Sequence, residues 1–184
     1  MVRVVAGTAR GMKLTTRDSE DTKPTLDRVK DAMFSMINPY LAGATVLDLF
    51  AGSGALGIEA LSRGAAECVF SDKAKECYDI IKGNLEKTNF TGRGSVFRED
   101  FTGMINKFEG QQKFHVVLLD PPYMKGFEKD AIALISKKKI YAPGVVIVVE
   151  HSMEDVLPEE IGDFCKIKDK KYGTVGVAVY MEKE

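Results

Sequence analysis

The stretch DLFAGSGALG, residues 48–57, decides the fold because it follows an apolar run with an acid and three closely spaced glycines. Gly52, Gly54 and Gly57 have the spacing GxGxxG. Asp72 follows 20 residues after Gly52, where a second strand would end. Glycines let a ligand lie against the backbone, and an acid at that place can accept both hydroxyls of a ribose. The pattern therefore predicts a loop that binds a nucleoside cofactor.

Apolar runs alternate with helical stretches outward from this loop. The runs are TVLDLF (45–50), ECVFSD (67–72), GSVFRED (94–100), FHVVLLD (114–120) and PGVVIVVE (143–150), with helices predicted at about 54–63, 75–88, 101–109 and 126–138. The last segment, FCKIKDKKYGTVGVAVYME (164–182), predicts an antiparallel hairpin that turns at residues 171–174. These elements predict an α/β fold with a mostly parallel, seven-stranded sheet covered by helices on both faces.

Length and composition favour one domain. The chain has 184 residues, of which 45% are hydrophobic and 29% charged, with a formal net charge of −1. Residues 1–43 stand apart as a short extension, in which RVVAGTARGMKL (3–14) alternates like a hairpin and TLDRVKDAMFSMI (25–37) has helical spacing. We expect residues 44–184 to form the catalytic core of the same single domain.

The sequence also argues against several classes of site. Three cysteines, Cys68, Cys77 and Cys165, are odd in number and far apart, which fits neither a disulfide framework nor a metal site. Two histidines are too few to favour a His-based metal cluster or a Ser-His-Asp arrangement. The apolar runs are too short to span a membrane, and the N-terminus lacks the apolar segment of a signal peptide. We therefore expect a cytoplasmic protein, without a metal, that relies on carboxylates, backbone groups or a cofactor.

Each predicted parallel strand ends at or near an acid. In an open parallel sheet the ligand crevice lies beyond the carboxyl ends of the strands, so these acids are candidate functional groups. They are Asp48, Asp72, Asp100, Asp120 and Glu150. Each could instead cap the following helix or lie in solvent. For Glu150 we prefer that simpler interpretation.

The glycine loop and Asp72 suit both a nicotinamide dinucleotide and S-adenosyl-L-methionine, and two further features favour the second. Asp48 stands just before the loop, where it would face the ammonium group of a methionine moiety but would repel a pyrophosphate. The predicted sheet ends in a hairpin instead of a second mononucleotide-binding half. The expected cofactor is therefore S-adenosyl-L-methionine.

In the segment VVLLDPPYMKG, residues 116–126, a carboxylate and two prolines directly follow the end of a buried strand. The prolines would hold the Asp120 carboxylate and the Pro121 carbonyl toward one point, where two acceptors can hold the hydrogens of an exocyclic amine. Tyr123 then offers a ring face to an unstacked base. The alternative is that PPY forms only a tight loop, and the glycine loop upstream makes this the weaker interpretation.

Together with DLFAGSG, the tetrapeptide DPPY resembles the class I methyltransferases that use S-adenosylmethionine to methylate amino groups. Four further segments are similar to the RsmD family of 16S ribosomal RNA guanine-N2 methyltransferases: VRVVAGTARGMKL (2–14), KPTLDRVKDAMFSMI (23–37), VLDLFAGSGALGIEALSRGA (46–65) and KKYGTVGVAVY (170–180). The resemblance covers nearly the whole chain. It implies a Rossmann-like class I methyltransferase fold and a guanine of 16S RNA as substrate, within an assembled or partly assembled small subunit.

The resemblance also implies roles for single residues. It assigns the ribose to Asp72 and the adenine amine to Asp100, while Phe101 either covers the adenine or packs in the core. The predicted catalytic motif is Asp120, Pro121, Pro122 and Tyr123. The predicted cofactor site comprises Asp48, Phe50, Ala51, Gly52, Ser53, Gly54, Asp72, Lys73, Asp100 and Phe101.

Basic residues near the N-terminus are candidate RNA contacts on a chain that is nearly neutral overall. They are Arg3, Arg10, Lys13 and Arg17, joined by Arg28 on the early helix. The alternative is an ordinary solvated hairpin face, with Arg28 paired to a neighbouring acid.

Three other functions remain open at the level of sequence. A reductase that uses a nicotinamide cofactor would share the glycine loop but has no use for DPPY. A non-catalytic RNA-binding protein would keep the basic residues and tolerate loss of Asp120. A DNA adenine-N6 methyltransferase is disfavoured because the chain lacks an evident domain for recognising a DNA sequence.

Overall fold

An eight-stranded sheet organises the protein. The computed structural model describes residues 2–17 and 24–184. The helices are α1 (Pro24–Ile37), α2 (Ala55–Ser62), α3 (Lys75–Lys87), α4 (Phe101–Phe108) and α5 (Phe127–Lys138), and a short 3-10 helix spans Asn38–Tyr40. The strands are β1 (Val2–Arg3), β2 (Lys13–Leu14), β3 (Thr45–Asp48), β4 (Glu67–Ser71), β5 (Gly94–Phe97), β6 (Phe114–Leu119), β7 (Tyr141–Ser152), β8 (Glu160–Ile161), β9 (Phe164–Tyr172) and β10 (Val175–Glu182).

The strand order of the sheet is β5-β4-β3-β6-β7-β10-β9-β8. Strands β3 to β7 are parallel, and β10 joins β7 in antiparallel register and continues into the predicted hairpin with β9. The prediction of seven strands was one short, because the two-residue strand β8 adds an antiparallel edge beside β9. No apolar periodicity marks a strand of that length, since it is defined only by its partner.

The two faces of the sheet bury alternate residues of the same strands. Leu118 and Val148 belong to a core that includes residues of α1, α2 and α3, whereas Leu119 and Val149 belong to a core that includes residues of α4 and α5. Strands buried on both faces read as continuous apolar runs, which is why the sequence showed them plainly.

Residues of the N-terminal extension pack on residues 44–184 through core side chains and through hydrogen bonds, several of them to one buried carboxylate. Glu59 of α2 is fully buried and accepts hydrogen bonds from the backbone N–H groups of Val5 (2.8 Å) and Ala6 (2.9 Å). It also pairs with Arg63 at 2.9 Å and with the buried Lys30 of α1 at 3.3 Å. Burial lowers the pKa of Lys30, which the Glu59 charge opposes. These contacts tie the residues before α1, and α1 itself, to α2.

The order of the strands reverses between β3 and β6. The chain passes from β3 to β4 and β5 on one side and then returns to place β6 on the other side of β3, with Asp48 paired to Leu118. Loops that leave adjacent strands in opposite directions open a crevice at this point. The glycine loop after β3 and the DPPY segment after β6 therefore flank the same crevice.

Within residues 2–17 and 24–184, no helix combines the length and the apolar character that crossing a bilayer requires.

Candidate active site

A cavity of about 760 Å³ lies at the carboxyl ends of β3, β4, β6 and β7. Most of the predicted site residues line it: Phe50, Ala51, Gly52, Ser53, Asp72, Lys73, Asp100, Phe101, Asp120, Pro121, Pro122 and Tyr123. Further lining residues were not predicted for the site, among them Lys30, Leu49, Glu99, Phe127 and Glu150. The cavity thus unites the glycine loop, the acid after β4 and the DPPY segment.

The glycine loop has the backbone geometry that its sequence requires. Gly52 (φ 54°) and Gly54 (φ 80°) adopt left-handed conformations that side chains disfavour. A Cβ on Gly57 would lie 2.2 Å from the Phe70 ring, so the third glycine lets α2 pack closely on β4. The loop therefore presents backbone to the cavity while its helix stays close to the sheet.

Asp72 ties the end of β4 to the glycine loop. Its Oδ2 accepts the Gly52 N–H at 3.0 Å, and its Oδ1 accepts the Ala74 N–H at 2.9 Å. The carboxylate is half-buried and reaches the cavity, where its oxygens can accept further bonds. This is the position that the sequence predicted for the acid that binds ribose.

Asp48 lies beneath the loop and is not among the residues that line the cavity. Its side chain is fully buried, with Oδ2 accepting the Gly57 N–H at 2.9 Å and Oδ1 without a hydrogen-bond partner among the described residues. Burial raises the pKa of Asp48 to about 7, against the opposing effect of the Gly57 bond. In this structure Asp48 supports the start of α2, and a direct contact with a methionine ammonium stays a prediction.

Three phenylalanines form an aromatic wall on one side of the cavity. The Phe50 and Phe101 ring centroids are 5.4 Å apart, and the Phe101 and Phe127 centroids are 5.6 Å apart. Phe101 is half-buried, so it both packs with its neighbours and faces the cavity. Phe127 was missed because it begins α5, and no local pattern shows that this helix starts beside Phe50. The wall offers an apolar surface to a flat ring.

Asp100 has the structural role that strand-end acids can have, in addition to lining the cavity. It precedes α4, and its Oδ1 accepts the Gly103 N–H at 2.7 Å, which caps the helix.

Gly54 and Ser53 of the glycine loop also have structural roles. The Cβ that Gly54 lacks would approach Ile81 of α3, and the buried Ser53 accepts a bond from Asn84 through its carbonyl at 2.9 Å.

The DPPY segment leaves β6 beside the glycine loop and turns Tyr123 toward β7. The Tyr123 hydroxyl donates to Oε1 of Glu150 at 2.7 Å. The residue is 41% exposed and lines the cavity, so a ligand can reach it. Burial, together with the negative charges of Glu150 and Asp120, raises the pKa of Tyr123 well above its usual range. The hydroxyl therefore stays protonated and holds the ring against the end of β7.

The simpler interpretation of Glu150 was wrong. Glu150 lies inside β7, which continues to Ser152, so it caps no helix, and it is only 8% exposed. Burial raises the pKa of Glu150, and the bond from Tyr123 opposes that shift. The sequence analysis placed this acid at a strand end but did not predict its partner. Tyr123 lies in the loop after β6, and no local pattern shows that this loop reaches β7.

The predicted RNA-contacting residues divide into two groups. Arg3 pairs with Asp27 at 2.9 Å, and Arg17, which lines the cavity, pairs with Glu76 at 3.0 Å. Arg10, Lys13 and Arg28 are exposed and lie away from the cavity lining. Their role in RNA binding remains a prediction.

Among residues 2–17 and 24–184, no group of three or more His, Cys, Asp and Glu side chains is arranged to hold a metal ion.

Known proteins resemble the chain over its full length. The sequence model of a family described as "Conserved hypothetical protein 95" matches residues 2–181. YlbH of Bacillus subtilis is 38% identical over 183 residues, which cover 99% of this chain and 100% of that protein. Ribosomal RNA small subunit methyltransferase D of Haemophilus influenzae is 35% identical, over 97% of this chain and 93% of that protein.

Solved structures agree with these relationships. The yhhF structure from Escherichia coli superposes with a TM-score of 0.86 at 30% identity, covering 99% of this chain and 98% of the other. The structure of HI0767 from Haemophilus influenzae gives a TM-score of 0.84 at 32% identity, covering 100% and 99%. These likenesses confirm the predicted Rossmann-like class I methyltransferase fold. The chain belongs to the RsmD family.

Proposed function

We propose that this protein transfers a methyl group from S-adenosyl-L-methionine to the N2 amine of a guanine in 16S ribosomal RNA. The observation that carries the proposal is the adjacency of the glycine loop and the DPPY segment in one cavity, at the point where the strand order reverses. Relatives named as small-subunit ribosomal RNA methyltransferases support the enzyme class and an RNA substrate.

The residues present fit S-adenosylmethionine. Asp72 offers carboxylate oxygens for ribose hydroxyls, the wall around Phe50 and Phe101 offers an apolar surface for adenine, and the Gly52 backbone allows close approach. When bound, the cofactor supplies a methyl group activated by a positively charged sulfur. Asp48 lies buried beneath the loop with its pKa raised to about 7, and its ionised form would add negative charge on the side where the methionine ammonium is expected.

The DPPY segment would orient the target amine. Two rigid prolines limit the backbone, so that the Asp120 carboxylate and the Pro121 carbonyl can accept the two hydrogens of N2 and direct its lone pair toward the methyl group. Tyr123 would stack on the base with its exposed ring. Asp120 need not be a strong base, because the amine can lose its proton after the methyl group has moved.

The guanine and its ribosomal setting are the finer parts of the proposal. An exocyclic amine suits two acceptors, and the resemblance to the RsmD family implies N2 of a guanine in an assembled or partly assembled particle. Relatives named as small-subunit ribosomal RNA methyltransferases support RNA of that subunit as the substrate. A ribosomal substrate would be met in the cytoplasm, which is where we expect the protein to act. Neither a nicotinamide reductase nor a non-catalytic RNA-binding protein needs the DPPY segment.

Two carboxylate variants test the proposed division of roles. In single-turnover methyl transfer to small-subunit particles from a deletion strain, Asp120→Ala should lower the rate by orders of magnitude while cofactor affinity, measured by calorimetry, barely moves. Asp72→Ala should show the opposite pattern, with cofactor affinity weaker by roughly 1.5 to 3 kcal/mol. Asp130→Ala, which removes an exposed acid on α5, is the matched control.

Mapping methylated guanines in 16S RNA from the deletion strain identifies the target nucleotide. The proposal fails if no guanine loses a methyl group in that strain. If Asp120→Ala transfers the methyl group at the wild-type rate, the proposed role of Asp120 is wrong and the DPPY segment is only a tight loop.

A further inference from the structure

The carboxylate of Glu150 is buried beside the DPPY segment, although among the described residues neither a salt bridge nor a helix N-terminus requires it there. It is 8% exposed, lines the same cavity as Asp120 and Pro121, and receives the Tyr123 hydroxyl on Oε1. Its neighbour His151 is engaged elsewhere, with Nε2 at 3.1 Å from Asp169. Burying a carboxylate is costly, and one tyrosine hydroxyl compensates only part of that cost. This imbalance points to a ligand that supplies a further donor.

The strand register brings Glu150 next to Asp120. Leu119 of β6 pairs with Val149 of β7 in parallel register, so Asp120 and Glu150 are the residues that follow this pair along two adjacent strands. Neighbouring strands lie about 4.8 Å apart. Asp120 and Glu150 therefore occupy neighbouring backbone positions at the carboxyl end of the sheet, and both line the cavity together with Pro121.

Guanine has an edge that matches two adjacent acceptor groups. Its N2 amine stands next to the ring N1–H, so both positions donate hydrogen bonds. In adenine the ring nitrogen next to the amine is an acceptor, which a carboxylate would repel. If Asp120 and Pro121 hold the amine, the neighbouring carboxylate faces the ring nitrogen.

We propose that Glu150 accepts the N1–H of the target guanine and thereby selects guanine over bases whose adjacent ring nitrogen carries no hydrogen. This inference rests on the proposed function and specifies its substrate. The Tyr123 hydroxyl donates to Oε1, which leaves Oε2 to accept the N1–H of the base. Glu150 is thus a specificity residue, while Asp120 aligns the reacting amine.

A base analogue tests the N1–H contact directly. RNA is prepared with 2-aminopurine in place of the mapped target guanine, which keeps the amine but lacks the N1 hydrogen and the O6 oxygen. Wild-type protein should methylate this RNA more slowly than guanine RNA by roughly 10- to 100-fold in single turnover, the worth of a hydrogen bond to a charged group. Glu150→Gln should be slow on guanine and should discriminate less than 5-fold between the two RNAs.

A double variant separates base recognition from the support of Tyr123. Tyr123→Phe removes the bond to Glu150 but keeps the ring and the carboxylate. If Glu150 contacts the base, Glu150→Gln should still lower the guanine rate roughly 10-fold or more in the Tyr123→Phe background. If Glu150 acts only through Tyr123, the double variant should equal Tyr123→Phe, and this result would overturn the inference.

The matched control is Glu86→Gln, which changes an exposed carboxylate on α3 and should match wild type on both RNAs. Cofactor affinity of Glu150→Gln should stay within about 2-fold of wild type, which shows that the cavity is folded. Failure of the proposed function is recognised separately, since wild type would then transfer no methyl group to guanine RNA. Active wild type with unchanged discrimination in Glu150→Gln contradicts only the inference about Glu150.

Discussion

Acids at the ends of the parallel strands have different roles because their surroundings differ. Asp100 is exposed and caps a helix, whereas Asp72 accepts two backbone N–H groups at the cavity wall. Asp48 and Glu150 are buried, and burial raises the pKa of both. Acids that share a strand-end position in the sequence therefore have different roles in the folded protein: one caps a helix, one faces the cofactor cavity, and others are buried supports.

The raised pKa of Asp48 predicts a stability that depends on pH. In the unfolded chain this carboxyl ionises near its ordinary value of 3.8, whereas in the folded protein it does so at about 7. The contribution of Asp48 to stability is therefore fully present below pH 3.8 and is lost as pH rises toward 7. Asp48→Asn removes this titration and keeps an oxygen that can accept the Gly57 N–H.

We expect the stability of Asp48→Asn relative to wild type to rise between about pH 4 and pH 7, by up to about 4 kcal/mol. Urea unfolding without cofactor, at intervals across this range, measures the difference. Asp130→Asn, at an exposed position, controls for the loss of one charge. Parallel stability curves for Asp48→Asn and wild type would contradict the raised pKa of Asp48.

At the scale of elements, the turn between β3 and α2 joins packing to the site. Gly54 has a φ of 80°, and a Cβ there would lie 3.2 Å from the Ile81 side chain of α3. A side chain at Gly54 would therefore strain the backbone of the loop and would press its Cβ against Ile81 of α3. The sequence had suggested a cofactor-facing glycine, and the structure gives it a packing role.

Gly54→Ala should cost about 1 to 3 kcal/mol of stability, because alanine disfavours this backbone conformation and Ile81 must shift. Cofactor affinity should fall with it, since Gly54 belongs to the loop that borders the cavity. Gly83→Ala is the matched control, because a Cβ at this helical position of α3 meets no neighbour among the described residues and alanine should add about 0.5 to 1 kcal/mol. Thermal unfolding and calorimetry measure both properties. Equal melting temperatures for the two variants would contradict the strain at Gly54.

The N-terminal extension shows why an element cannot be judged by charge alone. Its basic residues suggested an arm that serves RNA, yet Val4, Ala9 and Leu14 lie in the core. Removal of the segment would also leave the buried Glu59 without two backbone donors. RNA contacts of the extension must therefore be tested by surface substitutions.

At the scale of the whole molecule, net charge supplies no general attraction to RNA, since 26 basic residues nearly balance 27 acidic ones. The electrostatic part of RNA binding therefore depends on how the charges are distributed. Replacing Arg10, Lys13 and Arg28 together by glutamine should weaken binding to small-subunit RNA. The slope of log affinity against log salt should fall by about 0.7 to 0.9 for each phosphate that the protein no longer neutralises. Filter binding at several salt concentrations measures both effects.

Three exposed lysines of the C-terminal hairpin provide the control for this prediction. Replacement of Lys168, Lys170 and Lys171 by glutamine removes the same charge from β9, near the far edge of the sheet. We expect a smaller effect on affinity and salt slope than for the extension. Equal effects would assign the affinity to net charge and would contradict a specific role for the extension.

The sequence by itself determined the parallel sheet, the glycine loop and the place of DPPY. Apolar periodicity, the spacing of Gly52, Gly54 and Gly57, and the rigidity of Pro121 and Pro122 are local properties, so they can be recognised without knowing which segments meet. Topology then places β6 beside β3 and brings the carboxyl ends of these strands together.

Only the tertiary structure decided which groups are buried and with whom they pair. Glu150 meets Tyr123 across 27 positions of the chain, and Glu59 meets Val5 across 54. Such contacts depend on strand register and on the docking of distant segments, and burial then changes the chemistry of each carboxylate. The same residue type therefore caps a helix at Asp100 and supports the cofactor loop at Asp48, because desolvation and hydrogen-bond donors are properties of the folded chain.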